Sequence, residues 1–266
     1  MIGFIGGGNM AEALIKGIVQ SSKFKVQSDI FVSEPREDRR AYLEKAYNVK
    51  TTPDNTEVVK NSNIIILAVK PQNMDAVTAE ISSFVSGDKV VVSIAAGITL
   101  SYLSSRLKTS KIIRVMPNTP ALVQEGMSVL SMCECIHDKE MGLIRDIFIS
   151  IGKVLILPEK YMDAVTALSG SGPAFIALFI EHMIHAGVKM GLTRDNASEL
   201  AIQTLIGTAR LLETGIPPDK LREMVTSPGG TTAAGLKVFE ERGHQDIVTA
   251  VLEAAANRSK ELGREG

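Results

Sequence analysis

Six residues near the start, Gly6-Gly7-Gly8-Asn9-Met10-Ala11, restrict the fold more than any other stretch of the chain. An apolar run, Ile2-Gly3-Phe4-Ile5, leads into them, and Met10, Ala13, Leu14, Gly17 and Ile18 follow at the spacing of one helix face. A G-x-G-x-x-A turn between a buried strand and a helix has a physical purpose. Gly6 allows the tight turn, Gly8 lets a ligand reach the backbone, and the small Ala11 lets helix and strand pack closely. The first helical amides and the positive end of the helix dipole then face a diphosphate. In this strand–turn–helix context the pattern reads as a dinucleotide site built from Gly6, Gly7, Gly8, Asn9, Met10 and Ala11.

The sequence beyond the turn supports the fold such a site needs. Short apolar runs at 2–5, 30–33, 64–69, 90–94 and 112–116 are largely continuous, as expected of parallel strands covered on both faces. Helical patterns separate them, so the N-terminal part reads as an α/β, Rossmann-type doubly wound parallel sheet. A helix over about 138–151 and a short strand at 154–157 close this part. After Pro158 the strand signal ends, and helices are expected near 160–168, 173–190, 194–214, 218–226, 231–242 and 245–262. Gly191, Gly215 and Gly243 mark their stops. Two domains follow, 1–160 and an all-α 161–266.

Composition narrows the functions. With a net charge of −1, no broad basic field is available for nucleic acid or anionic lipid. No leader pattern precedes the first strand, and the apolar stretch from Pro173 to Ile184 is interrupted by Glu181 and His182. A soluble, cytoplasmic protein without a membrane role is the expectation. No metal is expected either. Cys133 and Cys135 have only His137 nearby, and His182 and His185 share a helix face with no third ligand. The helix at 174–190, AFIALFIEHMIHAGVKM, is apolar on nearly all sides, so a second copy of the chain is its expected cover.

Other candidate residues lie where parallel strands end. The second strand runs into Ser33-Glu34-Pro35-Arg36. Glu34 suits the ribose hydroxyls of NADH, whereas Ser33 and Arg36 suit the 2′-phosphate of NADPH, and both readings stay open. Ala68-Val69-Lys70-Pro71 ends the third predicted strand and Ala95-Ala96 follows the fourth, again at the ligand-binding edge of such sheets. Lys70 is either a solvated lysine before a turn or a group over that crevice. In the helical half, Ser227-Pro228-Gly229-Gly230-Thr231-Thr232 precedes a helix. It is either a plain turn capped by a threonine or a cradle whose free amides hold an anion. Ser169-Gly170-Ser171-Gly172-Pro173 is either a capped helix start or part of a pocket lining.

These runs together resemble the pyrroline-5-carboxylate reductase family. The similarity lies in GFIGGGNMA, the AVKP run, MPNTP at 116–120, DAVTALSGSGPAF at 163–175, VKMGL at 188–192 and LREMVTSPGGTTAAGLKVFE at 221–240. It covers essentially the whole chain. The resemblance implies a Rossmann domain followed by a helical dimerisation domain, NADPH or NADH as cofactor, and reduction of 1-pyrroline-5-carboxylate to L-proline. It implies a homodimer that assembles further in some members. It also implies that Asn55 and residues 68–71 border the cofactor and that 94–97 underlie the nicotinamide. Gly229, Gly230, Thr231 and Thr232 would hold the substrate. From the residues' own chemistry, the Thr232 hydroxyl is the candidate for bonding the ring nitrogen, and Ser171 is the candidate for the pocket lining. Glu34 departs from the small polar residues usual at that place. A β-hydroxyacid dehydrogenase shares the N-terminal turn, but of its catalytic lysine and paired asparagines the long helix offers Lys189 and no Asn-Asn pair. A redox-sensing protein that binds cofactor without turnover is the rival from another class.

Overall fold

The computed structural model describes residues 1–21, 29–133 and 136–265; Cys135 therefore lies outside the described residues. The chain divides into two compact units: Met1–Ser171 together with the segment from Ala254 onward, and Gly172–Glu253.

The larger unit is an eight-stranded sheet in the order β3-β2-β1-β4-β5-β6-β7-β8. Its strands are β1 (Ile2–Ile5), β2 (Ile30–Ser33), β3 (Lys50–Thr52), β4 (Ile64–Leu67), β5 (Val90–Ser93), β6 (Ile112–Met116), β7 (Gly126–Met132) and β8 (Gly152–Ile156). All neighbours run parallel except β6 and β7, which pair antiparallel. Helices α1 (Asn9–Gln20), α2 (Glu37–Tyr47), α3 (Asn55–Asn61), α4 (Met74–Ile81), α5 (Leu100–Arg106) and α6 (Asp138–Ile149) connect them.

Strand alternation sorts the core onto two faces. Phe4, Val32, Ile66 and Val92 pack with Leu14, Ile18, Ile147 and Phe148 of α1 and α6. Their chain neighbours Ile5, Phe31, Ile65 and Val91 pack with Val58, Met74 and Leu103 of α3, α4 and α5. Because both faces are covered, the strands read as unbroken apolar runs. The order reverses at β1, which β2 flanks on one side and β4 on the other. Such a switch point opens a crevice at the carboxyl ends of the strands.

The smaller unit is helical: α8 (Gly172–Lys189), α9 (Arg194–Glu213), α10 (Pro218–Met224), α11 (Thr231–Glu241) and the first part of α12 (His244–Glu265). Small residues set the α8–α9 contact, where a methyl group on Gly187 would stand 3.1 Å from Ala197 Cβ. The rest of α8 is not enclosed within one chain; Ile176 and Leu178 are each 51% exposed. The helical stretch Glu159–Lys189, by length and composition alone, is long enough to cross a membrane, longer than the interrupted apolar run suggests.

Two features differ from the sequence expectations. The serine–glycine run expected to separate two helices near 168 and 173 is itself largely helical. Helix α7 (Met162–Val165) widens into a π turn over Thr166–Gly170, and the Ser171 amide is spent on Thr166 O at 2.8 Å. Nor does the last part of α12 stay with the helices. Ser259, 3% exposed, donates to Asp163 Oδ1 at 2.7 Å, and a methyl group on Gly97 would stand 2.9 Å from Leu262 Cβ.

Candidate functional site

The crevice edge of the larger unit gathers four segments because four parallel strands end there. The glycine turn follows β1, Ser33–Arg36 follows β2, Ala68–Pro71 follows β4 and Ala95–Ala96 follows β5. Gly6 has a φ of +97°, and a Cβ there would lie 2.7 Å from Ala68 O, so the turn requires glycine. Gly8 differs in kind. It has ordinary extended geometry, and a Cβ on it would meet nothing within 4 Å. The turn is therefore tight at Gly6 and open at Gly8, which is the cradle a diphosphate needs. Gly8 is also the N-cap of α1 and supplies no capping side chain. The first α-helical bond runs from Glu12 N to Gly8 O, which leaves the amides of Asn9, Met10 and Ala11 outside the helix's own bonding. The residues present fit a dinucleotide.

The turn is braced from α2 by residues that the sequence reading passed over. Arg39 Nε donates to Gly7 O at 2.7 Å, and its Nη2 pairs with Glu12 Oε2. Glu12 Oε1 also accepts from Tyr42 at 2.8 Å and Tyr47 at 2.7 Å. Burial pushes the Glu12 carboxyl up, but the bonds from Tyr47, Arg39 and Tyr42 outweigh it and hold the group below its ordinary value. A depressed folded-state pKa stabilises the protein above the unfolded value, and that gain is lost as pH falls through the folded one. Arg39→Ala is expected to cost about 2 kcal/mol, read as a shift in the urea midpoint near neutral pH. The loss should shrink in acid, where Glu12 is protonated. The one signal in sequence was the pair Arg39-Arg40 just after a strand end.

At the end of β2 the predicted residues divide. Ser33 is 1% exposed, and its hydroxyl lies 2.7 Å from Asn55 Oδ1, turned into the protein. Asn55 opens α3 and donates to Glu80 Oε2 at 2.8 Å. Glu34 is buried against the glycine turn, where it accepts the Gly7 N–H at 3.1 Å. Arg36 reaches back to Glu34 at 3.3 Å while its side chain stays 63% exposed. Ala68 and Val69 are half-buried, and Lys70 is exposed ahead of a turn at Pro71–Asn73. Ala95 is buried and Ala96 half-buried. Asn118 ties the MPNTP run to the π turn: its Nδ2 donates to Ser169 O at 3.2 Å, and its Oδ1 accepts from Met127 N at 2.8 Å. Ser171 sits at the end of that clamped turn.

In the smaller unit, Gly229 has a φ of +69° and Gly230 is the N-cap of α11. No side chain caps this helix and no acidic residue lies in its first turn. Of the two readings of this loop, the threonine-capped turn is the one the geometry departs from. The first helical bond runs from Ala234 N to Gly230 O, leaving the amides of Thr231, Thr232 and Ala233 for another acceptor. Thr231 is exposed and Thr232 half-buried. A small carboxylate matches such a terminus in charge and in hydrogen bonding.

Comparisons with known proteins agree with this arrangement. Residues 159–262 match the family described as pyrroline-5-carboxylate reductase dimerisation. Residues 1–97 match the one described as NADP oxidoreductase coenzyme F420-dependent. The pyrroline-5-carboxylate reductase of Synechocystis is 42% identical over 264 residues, covering 99% of this chain and 98% of the relative. That of Pisum sativum is 41% identical over 262 residues, covering 98% and 95%. Among solved structures, the Coxiella burnetii pyrroline-5-carboxylate reductase superposes with a TM-score of 0.90 at 36% identity, covering 98% of this chain and 97% of that one. The Plasmodium falciparum pyrroline carboxylate reductase, solved with NADP bound, gives 0.88 at 34% identity, covering 98% and 97%. With the glycine cradle on one unit, the open helix terminus on the other and full-length identity of this level, the chain belongs to the pyrroline-5-carboxylate reductase family.

Proposed function

We propose that this chain reduces 1-pyrroline-5-carboxylate to L-proline with NADH or NADPH. The observation that carries the reading is the α11 terminus, an open row of amides behind Gly229 and Gly230 in a chain that also has a dinucleotide cradle. In this reading, residues 1–160 hold the dinucleotide, and 161–266 supply the substrate loop and the contacts between subunits. The substrate is a five-membered cyclic imine with a carboxylate. The amides of Thr231 and Thr232 hold that carboxylate without an arginine. The Thr232 hydroxyl bonds the ring nitrogen and turns the imine carbon toward the cofactor. When bound, the reduced nicotinamide supplies a hydride to that carbon. The nitrogen ends protonated. An unperturbed threonine hydroxyl is too weak an acid to be the source, so the proton arrives with the iminium form or from water. Residues 68–71, Asn55, Ala95 and Ala96 border the cofactor, and Ser171 stands beside the substrate.

The apolar, half-exposed side chains of α8 and α9, among them Ile176, Leu200 and Ile206, support a homodimer that covers them. The enzyme is soluble and cytoplasmic in this reading, and its dimers assemble further. The test is direct. Purified protein is given pyrroline-5-carboxylate with NADH or NADPH, and both cofactor oxidation and proline are followed. Proline formation supports the proposal; cofactor binding with no proline points to a sensor instead. Thr232→Ala is expected to lose about 1–3 kcal/mol of transition-state binding, roughly 5- to 150-fold in kcat/KM. An unchanged kcat/KM removes Thr232 from the mechanism.

A further inference from the structure

We propose that Glu34 makes this enzyme select the dinucleotide that lacks a 2′-phosphate, NADH over NADPH. The inference rests on the cofactor reading above and decides what the sequence leaves open.

The position of the carboxylate is fixed from three sides. Its Oε2 accepts the Gly7 N–H at 3.1 Å, and its Oε1 accepts the Arg36 backbone N–H at 3.2 Å and the Arg36 Nε–H at 3.3 Å. The side chain is 10% exposed. It also packs on the turn itself: a Cβ on Gly7 would lie 3.2 Å from Glu34 Cβ. Glu34 is thus anchored under the glycine turn at the end of β2. A dinucleotide seated on the α1 terminus places its adenosine ribose at that strand end. A carboxylate oxygen has two acceptor sites, and Oε2 uses one of them for Gly7. The second is left for a ribose hydroxyl.

A 2′-phosphate would instead bring up to two negative charges to a carboxylate that cannot swing away, and a buried charge is poorly screened by salt. The arginines nearby do not offset this. Arg39 is spent on Gly7 O and Glu12. Arg40 Nη1 donates to the carbonyl oxygens of Glu34 and Pro35, both at 2.8 Å. Arg36 extends into solvent, where its charge is well screened, and its Nε is already committed to Glu34. The Ser33 hydroxyl faces Asn55 rather than the crevice. Among the described residues, the arginines at this strand end are each tied to Glu34, to Glu12 or to backbone carbonyls, and none displaces the Glu34 carboxylate from the place a 2′-phosphate would take.

The experiment is a titration of the full chain with NADH and with NADPH, followed by the fluorescence of the reduced ring, because the chain has no tryptophan. NADH is expected to bind about ten-fold tighter. Glu34→Gln keeps an acceptor for Gly7 and removes the charge. It is expected to tighten NADPH about ten-fold and to weaken NADH about three- to ten-fold, because the ribose hydroxyl loses a charged acceptor. Equal or tighter binding of NADPH by the unaltered chain overturns the assignment, and so does an unchanged ratio in Glu34→Gln. The unaltered ratio decides the matter even if the variant folds poorly. Failure to bind either cofactor overturns the cofactor reading itself, and this proposal with it.

Discussion

Gly152→Ala is expected to destabilise the protein by on the order of 4 kcal/mol, the largest effect of any single methyl group considered. Gly152 begins β8 with a φ of +142°, a region that side chains avoid, so an added Cβ brings strain in any surroundings. Its surroundings are also closed. The new carbon would lie 1.9 Å from Gly126 O and 2.5 Å from Gly126 N. Backbone rather than a flexible side chain is in the way, and the two glycines are direct partners in the β7–β8 register. Relief requires the strands to separate, which breaks the pairing that ties β8 to the sheet. Urea unfolding of the variant should show a lower midpoint at an unchanged slope. A loss below about 1 kcal/mol would mean that β8 shifts to make room, and that this edge of the sheet is softer than its register indicates.

Gly8→Asp is expected to have opposite effects on stability and activity. Gly8 caps α1 in an extended conformation open to any residue, and nothing lies within 4 Å of where its Cβ would be. Aspartate at an N-cap accepts from the second or third helical amide, so folding should gain a few tenths of a kcal/mol. In the proposed cofactor site the same carboxylate would occupy the place of the diphosphate, with the same sign of charge. Cofactor affinity should fall by roughly 100-fold or more. Thermal melting without cofactor and fluorescence titration with it separate the two effects. If Tm is retained and affinity is unchanged, the α1 terminus does not hold the phosphates.

Most of the fold could be read where one local force dominates. The β1 turn was legible because its glycines have no other use between a strand and a helix. The stops at Gly191, Gly215 and Gly243 were legible because a left-handed cap selects glycine, and φ there is +102°, +92° and +63°. Strand β3 was missed because it is three residues long and lies at an edge with only Thr52 buried, leaving no apolar run to see. Strand β7 was missed for another reason. Gly126, Ser128 and Ser131 interrupt its apolar residues, yet both serines are buried once β6 and β8 close around it. The π turn was hidden by SGSGP, whose composition describes a loop. Asn118 and a close fit between Gly170 and Met116 hold it in helical form, and neither contact is local in sequence. At the site, Glu34 was legible as a residue but not as a geometry. Its meaning depends on Gly7, twenty-seven positions away.

The last stretch of α12 has a consequence for how the protein is made. Ser259 and Leu262 pack on Asp163 and Gly97, within the larger unit that begins at Met1. A polypeptide emerging from the ribosome can form the first strands early, since their pairing is complete within some 160 residues. The loop at Gly97 stays uncovered until translation has delivered nearly a hundred residues more. This edge of the sheet is therefore finished well after its strands, by residues that are synthesised later.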